Sequence, residues 1–88
     1  MARANTRTHE DSKESAILES RIKVGVTVRS IRESRGMNQE QLAEKMNISR
    51  STISKIESGK FNCSIDYLSK FAYFLDFKII LQDSLCKI

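Results

Sequence analysis

The 88-residue sequence predicts an all-α domain of four to five helices around one core, followed by a short C-terminal strand. Three observations carry that expectation. Apolar residues recur at three- and four-residue steps in several successive stretches, the period of a helix with one buried face. Asn38, Ser49 and Ser64 each stand just ahead of such a stretch, where a short side-chain acceptor can cap free backbone N–H groups. The helical period is lost at residues 77–82, where apolar and branched side chains run together.

Residues 1–11 lack periodic apolar positions and are expected to form a flexible tail. Arg3 and Arg7 there could follow a minor groove, but Glu10 and Asp11 beside them favour a solvated arm. From Ser12 the pattern changes. Ile17, Val24, Val28 and Ile31 are spaced by seven, four and three residues, with Leu18, Ile22 and Gly25 on the adjacent row. This is one long helix, or two broken near Gly25, and its early part has an apolar side free to pack on the domain or on a second subunit.

The next two helices are short and close together. Asn38 can cap a helix whose third residue, Gln41, reaches back to the cap's own N–H, and Leu42, Ala43 and Met46 give that helix an apolar stripe. Asn47 tolerates the left-handed conformation that ends it, Ile48 plugs the turn, and Ser49 caps the following helix. Ile53 and Ile56 point that helix inward. Its outward face is Arg50, Ser51, Ser54 and Lys55, with no carboxylate, and Gly59 ends it. Two short helices about a tight turn, the second with a polar cationic face, form a helix-turn-helix suited to a DNA groove.

Ser64 then opens a helix with Ile65, Leu68, Phe71, Ala72 and Leu75 expected inward and Tyr67, Tyr73 and Phe74 widening the stripe. Their helical spacing favours core or dimer contact over a base-stacking platform. The strand at 77–82 has no other strand in the chain to pair with. Its simplest partner is its own copy about a two-fold axis, with Phe77, Ile79, Ile80 and Leu81 as the dimerisation residues. The chain thus divides into a tail (1–11), a helical DNA-binding domain with an N-terminal extension (12–76) and a C-terminal dimerisation strand and tail (77–88).

Composition sets matching bounds. A chain of this length forms one domain with a modest core. Residues 21–62 hold nine Lys/Arg against four Asp/Glu, whereas the flanks are balanced to within one charge, so the net +4 resides on the helix-turn-helix segment. A polyanion-binding face needs that distribution. Cys63 and Cys86 have no CxxC spacing and His9 stands alone in the tail, so no metal site is expected and both cysteines read as unpaired thiols. No cofactor is implied. An enzyme is not expected either, because there is no GxSxG, no Ser/His/Asp set and no glycine-rich phosphate loop. The N-terminus lacks an apolar signal core and no run approaches the roughly 20 residues that span a bilayer, pointing to a reducing cytoplasm without membrane contact.

From about Gly25 to about Leu75 the chain resembles the phage repressor/Cro-type helix-turn-helix family, also called XRE. The resemblance rests on an ordered series: an Arg-rich first helix ending in Gly36, then NQEQLAEKM, ISRSTISKIESGK and a following amphipathic helix. It implies a lambda-repressor-like domain that binds an inverted-repeat operator in double-stranded DNA as a homodimer. By position, it places Ser49, Arg50, Ser51, Ser54 and Lys55 at base edges or flanking phosphates, with Arg50 the best matched to guanine and Lys55 on a base or a phosphate. Asn38, Gln39, Ser58, Lys60 and Asn62 fall where relatives contact phosphates. Arg32 and Glu57 fall where relatives form an internal ion pair. The implied function is transcriptional repression. The alternative is an antitoxin that neutralises a toxin protein and represses its own operon, since some antitoxins carry a similar C-terminal strand.

Overall fold

The computed structural model describes residues 2–82, with side chains described from residue 12 onward. Its elements are α1 (Ala2–Ser34), α2 (Gln39–Met46), α3 (Arg50–Glu57) and α4 (Ile65–Leu75), and there is no strand among the described residues. The architecture is all-α.

α1 is one helix of 33 residues, so Gly25 does not break it. Residues 2–11, expected as an irregular tail, have helical backbone instead. With no proline in the chain and no glycine before Gly25, a helix nucleated on the packed half meets no obstacle as it propagates toward the N-terminus. Gly25 serves packing. A Cβ added there would lie 2.5 Å from the Ile56 carbonyl oxygen and 2.6 Å from that of Glu57. α1 therefore crosses the end of α3 with backbone against backbone, and only a hydrogen fits between them.

Local caps end the helices and the core holds them together. α1 stops as Gly36 takes φ +74° and the Met37 N–H turns back to the Arg32 carbonyl at 3.3 Å. Val28, Leu42, Ala43, Met46, Ile53, Ile56, Phe71 and Leu75 form the core, with at least one residue from every helix. At the far end of α4 Asp76 is left-handed, with φ +59°. Arg35 reaches that end from the α1 turn, donating from Nε to the Leu75 carbonyl at 2.7 Å and from Nη2 to the Asp76 carbonyl at 2.9 Å. Carbonyls in a last helical turn lack helical partners, so this guanidinium caps α4 and ties it to α1.

Two α4 expectations are corrected. Ile65 is 63% and Tyr73 80% exposed. Ile65 sits in the first turn, rotated about 120° from Phe71 at 100° per residue, which turns it off the packed face. Tyr73 lies beyond the edge of the core and stacks edge-on with Phe74, ring centroids 5.1 Å apart. The aromatic cluster that does face inward is Phe61, Tyr67 and Phe71.

Residues 77–82 have no regular secondary structure in the single chain. Phe77 packs on the core and its N–H donates to the Ala72 carbonyl at 3.0 Å. The segment then runs beside Val24 and Ile31 of α1 and Leu68 of α4, leaving Ile80 and Leu81 in solvent. Cys63 is a half-buried free thiol whose pKa burial pushes up, and Cys86 lies outside the described residues. Among the described residues, no helix is long and apolar enough to cross a membrane.

The two glycines make separable predictions. Gly25→Ala should destabilise the fold by about 1–3 kcal/mol, because α1 and α3 must part to admit a methyl group. Gly36→Ala, in open space but at positive φ, should cost about 1 kcal/mol. Denaturant unfolding of both variants checks the ranking.

Candidate nucleic-acid interface

The α2–turn–α3 unit is built by short-range capping. Asn38 Oδ1 accepts from the Gln41 N–H at 2.7 Å while Gln41 Oε1 accepts from the Asn38 N–H at 2.8 Å, a reciprocal capping box. Asn47 ends α2 at φ +57°, and the Ile48 N–H closes on the Ala43 carbonyl at 3.0 Å. Ser49 Oγ accepts from the Thr52 N–H at 3.1 Å and lies 2.9 Å from the Thr52 hydroxyl. Thr52 is accordingly half-buried support for the cap.

Packing fixes the rotation of α3. Ile53 and Ile56 are buried against the core, so Arg50, Ser51, Ser54 and Lys55 are turned outward and exposed. The acidic residue of α3, Glu57, is buried. Ser49 is exposed at the start of the helix, and Ser58, Lys60 and Asn62 are exposed just after it. The Lys60 N–H turns back to the Lys55 carbonyl at 2.9 Å, which holds this loop against the end of α3.

Beneath the face lies a buried ion pair. Arg32 donates from Nε to Glu57 Oε2 at 2.7 Å and from Nη2 to Oε1 at 3.0 Å, and its Nη1 donates to the Met37 carbonyl at 2.7 Å. Hydrogen bonding to Glu57 raises the Arg32 pKa above its ordinary value, outweighing the opposing effect of burial. The network continues to the surface. Gln39 Nε2 donates to Glu57 Oε1 at 3.0 Å, and Gln39 Oε1 accepts from Arg50 Nη1 at 3.1 Å. Four side chains from α1, α2 and α3 thus form one chain of hydrogen bonds that ends at Arg50. Pairing Glu57 with Arg32 also prevents an uncompensated negative charge behind a surface that must meet phosphates.

Of the expected site residues, Asn38, Gln39 and Arg50 line one open recess, and Ser49, Ser51, Ser54, Lys55, Ser58, Lys60 and Asn62 are exposed at the head of α3, along it or in the loop after it. Asn38 is exposed at the head of α2, and Gln39 is half-buried because its amide is engaged at both ends. A further residue joins them. Arg29 of α1 lines an open polar recess with Arg32, Asn38, Gln39, Glu40 and Arg50, its side chain 63% exposed and bonded to Glu33 at 3.2 Å. Reasoning confined to the two motif helices overlooks it; a clue was its position three residues ahead of Arg32 on the same helix.

A capped two-helix unit whose second helix has a cationic outer face free of carboxylates, braced from behind by an ion pair, defines a DNA-binding helix-turn-helix domain. The family described as helix-turn-helix matches residues 28–80, and this chain belongs to it as a protein of the phage repressor/Cro type. The chain is also similar to the immunity repressor protein of Bacillus phage phi105, at 43% identity over 49 residues. That alignment covers 56% of this chain and 34% of the relative, so the chain spans about a third of that protein's length.

Removing either member of the ion pair leaves a buried, uncompensated charge. Arg32→Ala and Glu57→Ala should each cost about 3–5 kcal/mol of stability, with DNA binding lost through unfolding. Melting curves test this: normal stability with DNA binding abolished in Arg32→Ala would make Arg32 a direct contact.

Proposed function

We propose that this chain is a transcriptional repressor that binds an inverted-repeat operator as a homodimer and acts by occupying it. The observation that carries the reading is the division of α3, with Ile53 and Ile56 buried and Arg50, Ser51, Ser54 and Lys55 on an exposed face of that helix that bears no carboxylate. In the major groove these side chains, with Ser49, meet base edges. Arg50 is suited to guanine O6 and N7 because its planar fork matches two acceptors, and Gln39 already restrains one of its nitrogens. Asn38, Gln39, Ser58, Lys60 and Asn62 take flanking phosphates, and Arg29 adds a cation on the α1 side.

The similarity to a phage immunity repressor supports repression over toxin neutralisation, the alternative that the C-terminal segment suggested. In this reading the segment of Phe77, Ile79, Ile80 and Leu81 pairs as an antiparallel strand with its copy in a second chain, anchored by Phe77 on the core and with Ile80 and Leu81 uncovered in the single chain. Two-fold pairing would set half-sites about one helical turn, 34–36 Å, apart.

Sequences selected from random duplexes should show two-fold symmetry, and affinity should fall steeply with salt as phosphate contacts release counterions. A selected site without symmetry, or affinity indifferent to salt, would count against the reading. Arg50→Ala should lose roughly 1–3 kcal/mol and relax preference at one symmetric position, whereas Lys60→Ala should weaken all sequences about equally. Unchanged base preference in Arg50→Ala would remove that residue from direct readout.

A further inference from the structure

Where α1 passes the loop that follows α3, a recess of about 260 Å³ lies between them. Ile17 and Val24 of α1, Ile56 of α3, Phe61 of the loop and Leu68 of α4 give it an apolar lining. Ile56 is buried and Val24, Phe61 and Leu68 are half-buried, so the floor is continuous with the core. Ser20, Asn62 and Cys63 add neutral polar atoms to the wall, and no carboxylate lines it. The one charge is Arg21, whose Nε is buried without a hydrogen-bond partner among the described residues. Arg29 and Arg32 on the same helix each pair with a carboxylate, whereas Glu14, two turns back from Arg21, makes no hydrogen bond with its Nε. A buried charged donor left unpaired loses its hydration with nothing in return, and that vacancy selects for an acceptor from outside.

We propose that this recess binds a small carboxylate with an apolar body, the carboxylate on the Arg21 guanidinium and the body against Val24, Ile56 and Leu68. An apolar lining with a few polar groups is the usual composition of a small-molecule site, and a volume just under the common range of about 300–1,000 Å³ limits the occupant to less than drug size. Charge narrows the class further. A single guanidinium balances one negative charge, so a monocarboxylate is matched where a phosphate dianion would keep a charge uncompensated against apolar walls. The recess also touches the recognition unit from within: Ile56 lies on the inner side of α3, and Asn62 stands in the loop assigned to the DNA backbone. An occupant bridging α1 to that loop holds Lys60 and Asn62 in place and so strengthens DNA binding. That consequence rests on the proposed DNA-binding function, and the site itself does not.

Titration of the full chain without DNA, followed by methyl NMR at constant ionic strength, tests the site with hexanoate as the probe. Hexanamide, the same body without the charge, and inorganic phosphate, the charge without the body, are the controls. Hexanoate should shift the methyl resonances of Val24, Ile56 and Leu68 saturably and bind about tenfold or more tightly than either control. Arg21→Gln should lose the preference for hexanoate over hexanamide, and Cys63→Leu, which fills the recess with apolar atoms, should abolish binding of both. The proposal is overturned if hexanoate shifts none of these methyls or if either control binds as tightly. Retention of the preference in Arg21→Gln, or of binding in Cys63→Leu, overturns it as well. Affinity for a half-site duplex should rise severalfold with saturating hexanoate in the wild-type chain and stay unmoved in Arg21→Gln; unchanged or weakened wild-type affinity overturns the coupling. A chain that takes up hexanoate yet binds no DNA keeps the site and loses the proposed function, and one that binds DNA but no hexanoate loses the site alone.

Discussion

The Arg32–Glu57 ion pair joins the first helix to the third where both charges are shielded from water, and each of its hydrogen bonds positions something else. Arg32 holds the Met37 carbonyl and so the turn into α2. Glu57 holds Gln39 at the head of α2, and Gln39 holds Arg50. An apolar pair of similar volume would serve stability as well, because desolvating two charges offsets most of their attraction. What an apolar pair lacks is direction. Hydrogen bonds fix the orientation of an amide and a guanidinium at the surface in a way that dispersion contacts do not, so the ion pair acts less as a fastener than as a reference frame for the DNA face.

That frame matters because the helices it supports are short. α2 and α3 have eight residues each, below the length of about 12–15 at which an isolated helix becomes even marginally stable in water. They exist because caps satisfy their ends and because Leu42, Met46, Ile53 and Ile56 are buried in a core shared with α1 and α4. The close crossing at Gly25 and the Arg35 clamp on the end of α4 hold the outer helices around them. The recognition unit is therefore a product of the whole domain.

Local determinants were legible in the sequence, and long-range ones were not. The caps at Asn38, Ser49 and Ser64 could be read because each involves residues three apart, and each of these side chains accepts from the expected N–H. The inward rows Leu42/Met46 and Ile53/Ile56 follow from spacing alone. The helical backbone at 2–11 was missed because that reading rested on apolar periodicity, which the stretch lacks, and a helix already nucleated farther along can propagate without it. Spacing also marks the middle of a packed stripe better than its margins, which is why Ile65 and Tyr73 were misplaced. The close approach at Gly25, the link from Gln39 to Glu57 and the grouping of Arg29 with Arg50 depend on which helices touch, and a linear pattern does not carry that.

In α3 the side chains that hold the fold and those that face outward are separate sets. Ile53, Ile56 and Glu57 are committed to the interior, while Ser51, Ser54 and Lys55 touch none of the core that keeps the helix in place. Selection can therefore act on the two sets almost independently. Mutations on the outer face can drift through new combinations at little cost in folding, so a scaffold of this kind can diverge in what it reads while remaining the same scaffold. Arg50 is the exception, since its bond to Gln39 ties the outer face to the buried pair. Change at that position is the one most constrained to be accompanied by change at another.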